Sequence, residues 1–287
     1  MKSEKKKLIR KSQHQRRPGL ESRMVPLPVH DDIAIKGSGK LENKIALITG
    51  GDSGIGRAVA VLFAKEGADI AIVYLSEHSD ARQTQQEVEA YKRNCILIPG
   101  DLSKEKFCMA AVKKTIKQFG RIDILVNNAA VHYETEDLSK ITSAQLIETF
   151  ATNVFSCFWM SKASIPYMDR ESVIINTASV TAYRGSDHLM DYASTKGAIV
   201  SFTRSLASNL LKKGIRVNAV APGPIWTPLI VSAFKPSAVA KFGSDAPMQR
   251  AGEPVEIAPS YLFLACSDSS YMTGQVLHPN GGEIVNG

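Results

Sequence analysis

From Lys44 onward, short apolar runs alternate with longer stretches of helical periodicity, a pattern that restricts the chain to strands joined by helical crossovers. Strand-like runs fall at Ile45–Thr49, Ile70–Tyr74, Cys95–Ile98, Ile122–Val126, Val173–Asn176, Arg216–Val220 and Gln275–His278. Helix-like segments lie near residues 55–66, 79–93, 103–119, 142–168, 191–213 and 254–265. Thr142 with Gln145 reads as a capping box, and Pro254 suits a first helical position. Most of the strand runs are continuously apolar, as expected where helices cover both faces of a parallel sheet. The expected fold is α/β: one doubly wound domain over residues 41–287, with a parallel sheet of about seven strands. Its ligand crevice belongs at the carboxyl ends of the strands.

Residues 1–40 break this pattern. They hold eleven Lys/Arg against four Asp/Glu, and Pro18-Gly19, Pro26 and Pro28 interrupt both helix and strand. They read as a basic N-terminal arm that carries the whole net charge of +7, because residues 41–287 hold 24 cationic and 24 anionic side chains. A body without basic excess argues against nucleic acid as a partner. No apolar run approaches the roughly 18 residues of a bilayer span, and the charged N-terminus lacks the apolar core of a secretory signal. A soluble, cytoplasmic chain with no membrane partner is expected. Cys95, Cys108, Cys157 and Cys266 form no CxxC pair, and the six histidines show neither HExxH nor another i, i+4 pair. No metal site is expected, and the thiols read as buried and free.

Gly50, Gly51, Asp52, Ser53, Gly54, Ile55 and Gly56 follow the first strand directly and open the first helix. Glycines let a backbone turn tightly and come close to a pyrophosphate, while a helix N-terminus offers unpaired N–H groups and partial positive charge. The loop lacks the Gly-Lys-Ser/Thr of a nucleoside triphosphate site. Farther along, Tyr192 and Lys196 stand four residues apart, hence on one face of a helix. A free phenol titrates near ~10; a neighbouring ammonium and an oxidised nicotinamide both favour the phenolate and are expected to lower that value. Ser179, just past the fifth strand, is expected to hydrogen-bond an oxygen beside the phenol.

These segments carry a resemblance. Thr49-Gly50-x-x-x-Gly54-Ile55-Gly56 resembles the cofactor loop of the short-chain dehydrogenase/reductase family. Asn127-Asn128-Ala129-Ala130 resembles its Asn-Asn-Ala-Gly segment, with Ala130 in place of the glycine, and Pro222-Gly223 follows the sixth strand as in that family. Asn153, Ser179, Tyr192 and Lys196 match its catalytic four, and the likeness covers most of residues 44–282. The arm, with Pro18-Gly19-x-Glu21, is more loosely similar to the extension of a bacterial subgroup with general-stress and glucose- or ribitol-dehydrogenase-like members.

The resemblance implies a Rossmann-type domain and an NAD(P)-dependent oxidoreductase that moves a hydride between the nicotinamide and a small alcohol, sugar, polyol, aldehyde or ketone. It makes Tyr192 the acid/base, with Lys196 tuning it and binding the nicotinamide ribose. Ser179 would position the substrate oxygen, and Asn153 would support a water chain to the lysine. A homotetramer is implied, with Asn280-Gly281-Gly282 and the tail similar to the family's interface segment. Enoyl reduction is disfavoured, since the family's enoyl reductases space the Tyr and Lys more widely. From another class, a dinucleotide-sensing regulator without turnover remains the rival, although it has no need of all four catalytic groups.

The residue ending the second strand meets the adenosine ribose, where an acid suits NAD and a cation suits NADP. Here Tyr74 and Leu75 are followed by Ser76 and Glu77, with neither charge at the usual place and no cation in the glycine loop; the reading favours NAD over NADP. Asp101 and Leu102 are expected at the adenine, with Asp101 also capping the helix near Ser103. Asn128, Ala129 and Ala130 should lie along the cofactor, and Thr177, Pro222, Gly223, Ile225 and Thr227 around the nicotinamide. Residues 224–250 are expected to form a lid, bringing Trp226, Phe234 and Phe242 over a pocket that His132, Tyr133, Gly185 and His188 also face.

Overall fold

Alternate residues of the strands feed two different cores, and the layering of the molecule follows from that. In the computed structural model, which describes residues 7–285, the strands are β1 (Ile45–Thr49), β2 (Asp69–Tyr74), β3 (Cys95–Pro99), β4 (Ile124–Asn127), β5 (Val173–Thr177), β6 (Arg216–Val220) and β7 (Val276–Leu277). The helices are α1 (Gly54–Lys65), α2 (His78–Ala90), α3 (Glu105–Phe119), α4 (Ser143–Phe150), α5 (Ser156–Ser164), α6 (Thr181–Arg184), α7 (Met190–Leu210), α8 (Pro228–Ala233), α9 (Pro236–Val239) and α10 (Pro254–Ala265). The seven strands pair in the order β3-β2-β1-β4-β5-β6-β7, and every pairing is parallel. Ala46, Ile48, Ile70, Ile72, Ile124 and Val126 pack against α1, α2 and α10. Leu47, Ala71, Val73 and Leu125 point the other way, onto α3, α5 and α7. Both faces are therefore dry, which accounts for the unbroken apolar runs.

One helix of the sequence reading is subdivided. Residues 142–168, expected as a single helix, form α4, a π-helical turn at Ala151–Phe155, α5 and a short 3-10 turn at Ile165–Tyr167. A π turn inserts one residue into the helical ladder and recurs at functional sites; Asn153 lies within it. The capping box at its start is half formed. Thr142 Oγ1 accepts from the Gln145 backbone N–H at 3.1 Å, but the Gln145 side chain donates instead to Asp191 at 3.0 Å and Thr135 at 3.2 Å.

The described part of the arm lies along the body. The Ile9 N–H donates to the Ala240 carbonyl at 2.8 Å, the Gln15 N–H to Val231 at 2.9 Å, and the Val255 N–H to Val29 at 3.0 Å. Glu21 enters the core: its carboxylate accepts from the Gly54 N–H at the start of α1 and from Arg57 Nη1 at 2.7 Å. Asp80 accepts from the Glu21 N–H at 2.6 Å. No helix among the described residues is long and apolar enough to cross a membrane. The four cysteines are buried and free.

Candidate active site

The carboxyl ends of the strands open into a cavity of about 1010 Å³. At one end is the glycine turn. Gly50 has a φ of +63°, and a Cβ there would meet Ala129 Cα at 3.1 Å; a Cβ on Gly56 would lie 1.8 Å from the Gly50 carbonyl oxygen. Only glycine permits this closeness, so the turn stays flat beneath the N-terminus of α1. The segment after β4 holds it in place. Thr49 Oγ1 accepts from the N–H groups of Asn128 at 2.9 Å and Ala129 at 3.1 Å, while Asn128 Nδ2 donates back to the carbonyls of Thr49 and Gly50.

Gly50, Asp52, Ser53, Gly54, Ile55, Tyr74, Leu75, Asp101 and Leu102 all line this cavity, as do Asn128, Ala129, Ala130, Thr177, Pro222, Gly223, Ile225 and Thr227. Gly56 does not; its part is to let α1 close onto Gly50, behind the cavity wall. Asp101 faces the cavity while accepting from the Ser103 N–H and hydroxyl, both at 2.8 Å. Its two expected roles are compatible, although α3 itself begins only at Glu105.

Ser179, Tyr192 and Lys196 converge on the same cavity. Lys196 Nζ donates to the Thr177 carbonyl at 2.7 Å and lies 5.4 Å from the centroid of the Tyr192 ring. Thr181 donates to Ser179 Oγ through both its N–H (3.2 Å) and its hydroxyl (3.1 Å), which fixes the serine hydroxyl. Thr177 Oγ1 is 2.6 Å from the Tyr261 hydroxyl, a buried contact that no local sequence signal announces.

The electrostatics correct one expectation. In the protein alone the Tyr192 phenol is not lowered: burial pushes it up to about 12, with a hydrogen bond to Ser179 pulling the other way. Burial likewise brings the Lys196 ammonium down to about 8. Desolvation by the surrounding wall is the leading cause of both shifts. His132, whose ring meets Tyr192 edge-on at 5.2 Å, is driven down to about 3 by burial and then by Arg17 and Lys196, which keeps it neutral.

Asn153 stands behind the wall. It does not line the cavity and makes no direct bond to Lys196. Its Oδ1 accepts from the Val131 N–H at 2.8 Å, and its Nδ2 donates to the Val131 carbonyl at 2.9 Å and to Thr195 Oγ1 at 3.1 Å. Thr195 in turn donates to the Tyr192 carbonyl at 2.6 Å. The amide thus braces the cavity wall against the helix that carries Tyr192 and Lys196.

On the lid side, His132, Tyr133, His188, Phe234 and Phe242 face the cavity. Gly185 and Trp226 do not. Trp226 is fully buried, its indole N–H donates to the Pro26 carbonyl at 2.9 Å, and Arg10 sits 4.3 Å above its ring; the arm claims it. Gly185 ends α6 with a φ of +73°, a turn position beside the cavity. Among the cavity groups that escaped the sequence reading are Glu77 and Arg17. Glu77 folds back to accept from the Ser76 N–H and hydroxyl, which carries its carboxylate to the wall beside Asp52. Arg17 reaches the wall from the arm.

A doubly wound parallel sheet with a glycine turn at one end of the cavity and a Tyr–Lys–Ser group at the other defines a class, the dinucleotide-type α/β oxidoreductases. Residues 50–283 match the family model described as enoyl-(acyl carrier protein) reductase. The chain is 56% identical over 270 residues to general stress protein 39 of Bacillus subtilis, with 94% of each chain covered. It is 50% identical to the NADPH-dependent aldehyde reductase 1, chloroplastic, of Arabidopsis thaliana (96% of this chain, 98% of that protein) and 49% identical to the glucose and ribitol dehydrogenase of Daucus carota (94% and 95%). A short chain dehydrogenase from Burkholderia cenocepacia, solved in complex with NADP, superposes with a TM-score of 0.80 at 31% identity, covering 85% of this chain and 98% of that one. The chain belongs to the short-chain dehydrogenase/reductase family and is an oxidoreductase.

Proposed function

We propose that the chain interconverts a small alcohol and its carbonyl compound, with Tyr192 as the acid/base. The carrying observation is that Ser179, Tyr192 and Lys196 open onto the same cavity as the glycine turn. That cavity fits a dinucleotide. The glycines of the turn carry no side chain, and the N-terminus of α1, where Glu21 already accepts from the Gly54 N–H, leaves its remaining N–H groups for the pyrophosphate. Tyr74, Leu75, Asp101 and Leu102 would hold the adenosine end; Asn128, Ala129, Ala130, Thr177, Pro222, Gly223, Ile225 and Thr227 would border the rest. When bound, the nicotinamide supplies or accepts the hydride.

The protein's own groups handle the oxygen and its proton. Ser179 Oγ, with two donors from Thr181 already on it, directs its hydroxyl proton toward the substrate oxygen. The Tyr192 hydroxyl, kept protonated by burial, donates to that oxygen as a carbonyl is reduced and takes the proton back as an alcohol is oxidised. Lys196 holds a positive charge beside the ring, which favours the phenolate when the proton leaves. Asn153 acts as a positioning residue through Val131 and Thr195.

The charge at the adenosine end favours NAD(H). Glu77 lines that wall beside Asp52, and a 2′-phosphate would stand against acidic side chains. The NADPH in the name of the Arabidopsis relative favours the other cofactor, so affinity for both is measured together. Four buried free thiols suit a reducing compartment, and the cytoplasm is the proposed setting.

Purified protein incubated with NADH or NADPH and a panel of aldehydes, ketones and an enoyl thioester tests the reading. Oxidation of the dinucleotide by an aldehyde or ketone is expected. Tight binding without turnover of any member would favour a dinucleotide sensor, and turnover of the enoyl thioester alone would move the chemistry to a carbon–carbon double bond.

A further inference from the structure

A buried phenol that the proposed chemistry does not use stands behind the cavity wall. Tyr261, on α10, belongs to the core layer that packs α10 against α1, and its side chain meets no solvent. A phenylalanine would serve for ring packing alone, and a dry hydroxyl costs stability unless it is bonded. Here it lies 2.6 Å from Thr177 Oγ1, and Thr177 lines the cavity.

The direction of that bond follows from the groups beyond it. Asn128 Nδ2 gives its two N–H groups to the carbonyls of Thr49 at 3.2 Å and Gly50 at 3.1 Å, so Asn128 Oδ1 can only accept. Thr177 Oγ1, 3.3 Å from that oxygen, supplies its single proton there. The Tyr261 hydroxyl is therefore the donor to Thr177, and an ordered chain runs from Tyr261 through Thr177 and Asn128 to the glycine turn. Thr177 also ends β5, and its carbonyl accepts from Lys196 Nζ at 2.7 Å. A threonine is stiff at χ1, so a bond that fixes Oγ1 also fixes the end of the strand that presents this carbonyl.

We infer that Tyr261 is a positioning residue: through Thr177 it holds the glycine turn and Lys196 in one register, so that dinucleotide binding and the placement of the ammonium depend on the same buried hydroxyl. Without that donor the Thr177 hydroxyl is free to turn from Asn128 into the cavity, and both ends of the chain loosen. The part that concerns Lys196 rests on the hydride-transfer reading above.

The test combines fluorescence titration of NADH and NADPH with steady-state kcat for the best substrate of the aldehyde and ketone panel. It is run on the full-length wild type, Tyr261→Phe, Thr177→Val and the double variant, well below every thermal midpoint so that the folded fraction stays constant. Tyr261→Phe removes one oxygen and keeps the ring. It is expected to weaken dinucleotide affinity about fivefold and to lower kcat about tenfold, the effect of losing one buried hydrogen bond. Thr177→Val removes the same bond from its other end and carries the test should the phenylalanine variant not fold. Because both substitutions act on one bond, adding Tyr261→Phe to Thr177→Val is expected to change neither quantity by more than about twofold. A lowered thermal midpoint with affinity and kcat both within about twofold of wild type makes the bond a core contact and overturns the inference. Losses that multiply in the double variant overturn it too, since the two hydroxyls would then act separately. So does a fall in affinity alone or in kcat alone, which leaves Lys196 or the glycine turn outside the chain. No wild-type turnover of any panel member overturns the hydride-transfer reading instead; the titrations need no turnover, and affinity unchanged in both single variants still overturns the inference.

Discussion

Asp52 shows how a single residue in the glycine turn is compromised between binding and stability. It is buried, its Oδ2 accepts from the Ser53 hydroxyl at 2.9 Å, and burial together with the neighbouring Glu77 carboxylate pushes its pKa up to about 7. An unfolded aspartate titrates near ~3.9. A carboxyl raised by folding contributes stability that is fully present below the unfolded pKa and is lost as pH rises through the folded one. Ionising Asp52 therefore costs stability progressively between pH values of about 4 and 7. Asp52→Asn keeps the acceptor for Ser53 and removes that cost. The variant is expected to show a flatter dependence of thermal midpoint on pH over this window and a higher midpoint than wild type above it. An identical pH slope in the two proteins would mean that Asp52 is ionised in the fold at little cost.

At the scale of elements, the arm and α1 depend on each other. Arg57 and Glu21 are 6% and 2% exposed, so neither charge has water to fall back on. Arg57 also donates to the carbonyls of Asp52 and Asp80, which ties α1 to the glycine turn and to α2. Removing one partner of a buried pair leaves the other uncompensated, at a cost on the order of 3–5 kcal/mol. Glu21→Ala is expected to lose about that much in chemical denaturation, and to weaken dinucleotide binding as the N-terminus of α1 loosens. A loss under about 1 kcal/mol would show that water or the Asp80 region takes over the pairing.

Such contacts explain what the sequence could and could not reveal. The succession of strands and helices along the chain, the glycine turn and the Tyr192–Lys196 pair were legible from a periodicity, a glycine spacing and a pair on one helix face, and Ser179 from its place after the fifth strand together with the family resemblance. Gly54 and Arg57, which donate to Glu21, lie more than 30 residues from it, and Tyr133, against which Arg17 stacks, more than 100, so no local period marks them. Trp226 reads as a lid residue because it falls in the 224–250 insertion, yet it turns inward, its indole N–H donating to the Pro26 carbonyl. The π turn at Asn153 was invisible because nothing in its residues separates a π turn from an α turn; the bonds from Asn153 to Val131 and Thr195 are tertiary.

At the scale of the whole molecule, α4 and α5 leave an apolar face uncovered. Ile147 is 64% exposed and Phe158 49%, with Leu146 and Phe155 beside them, and Phe158 stacks on Phe202 of α7 at 3.9 Å. Exposed apolar side chains of this kind would suit an association surface. The chain is expected to run as a homotetramer of its 31.2 kDa protomer in light scattering, and Phe158→Glu to shift it to smaller species; a monomeric wild type would contradict this.

Across all three scales the molecule is arranged around one hydroxyl, and Tyr192→Phe addresses it most directly. The substitution removes an oxygen and leaves the ring that packs on His132. Dinucleotide affinity should stay within about threefold of wild type, while turnover falls by roughly a hundredfold or more, the usual contribution of a positioned acid/base. Retained turnover in the phenylalanine variant, with affinity also intact, would contradict the account.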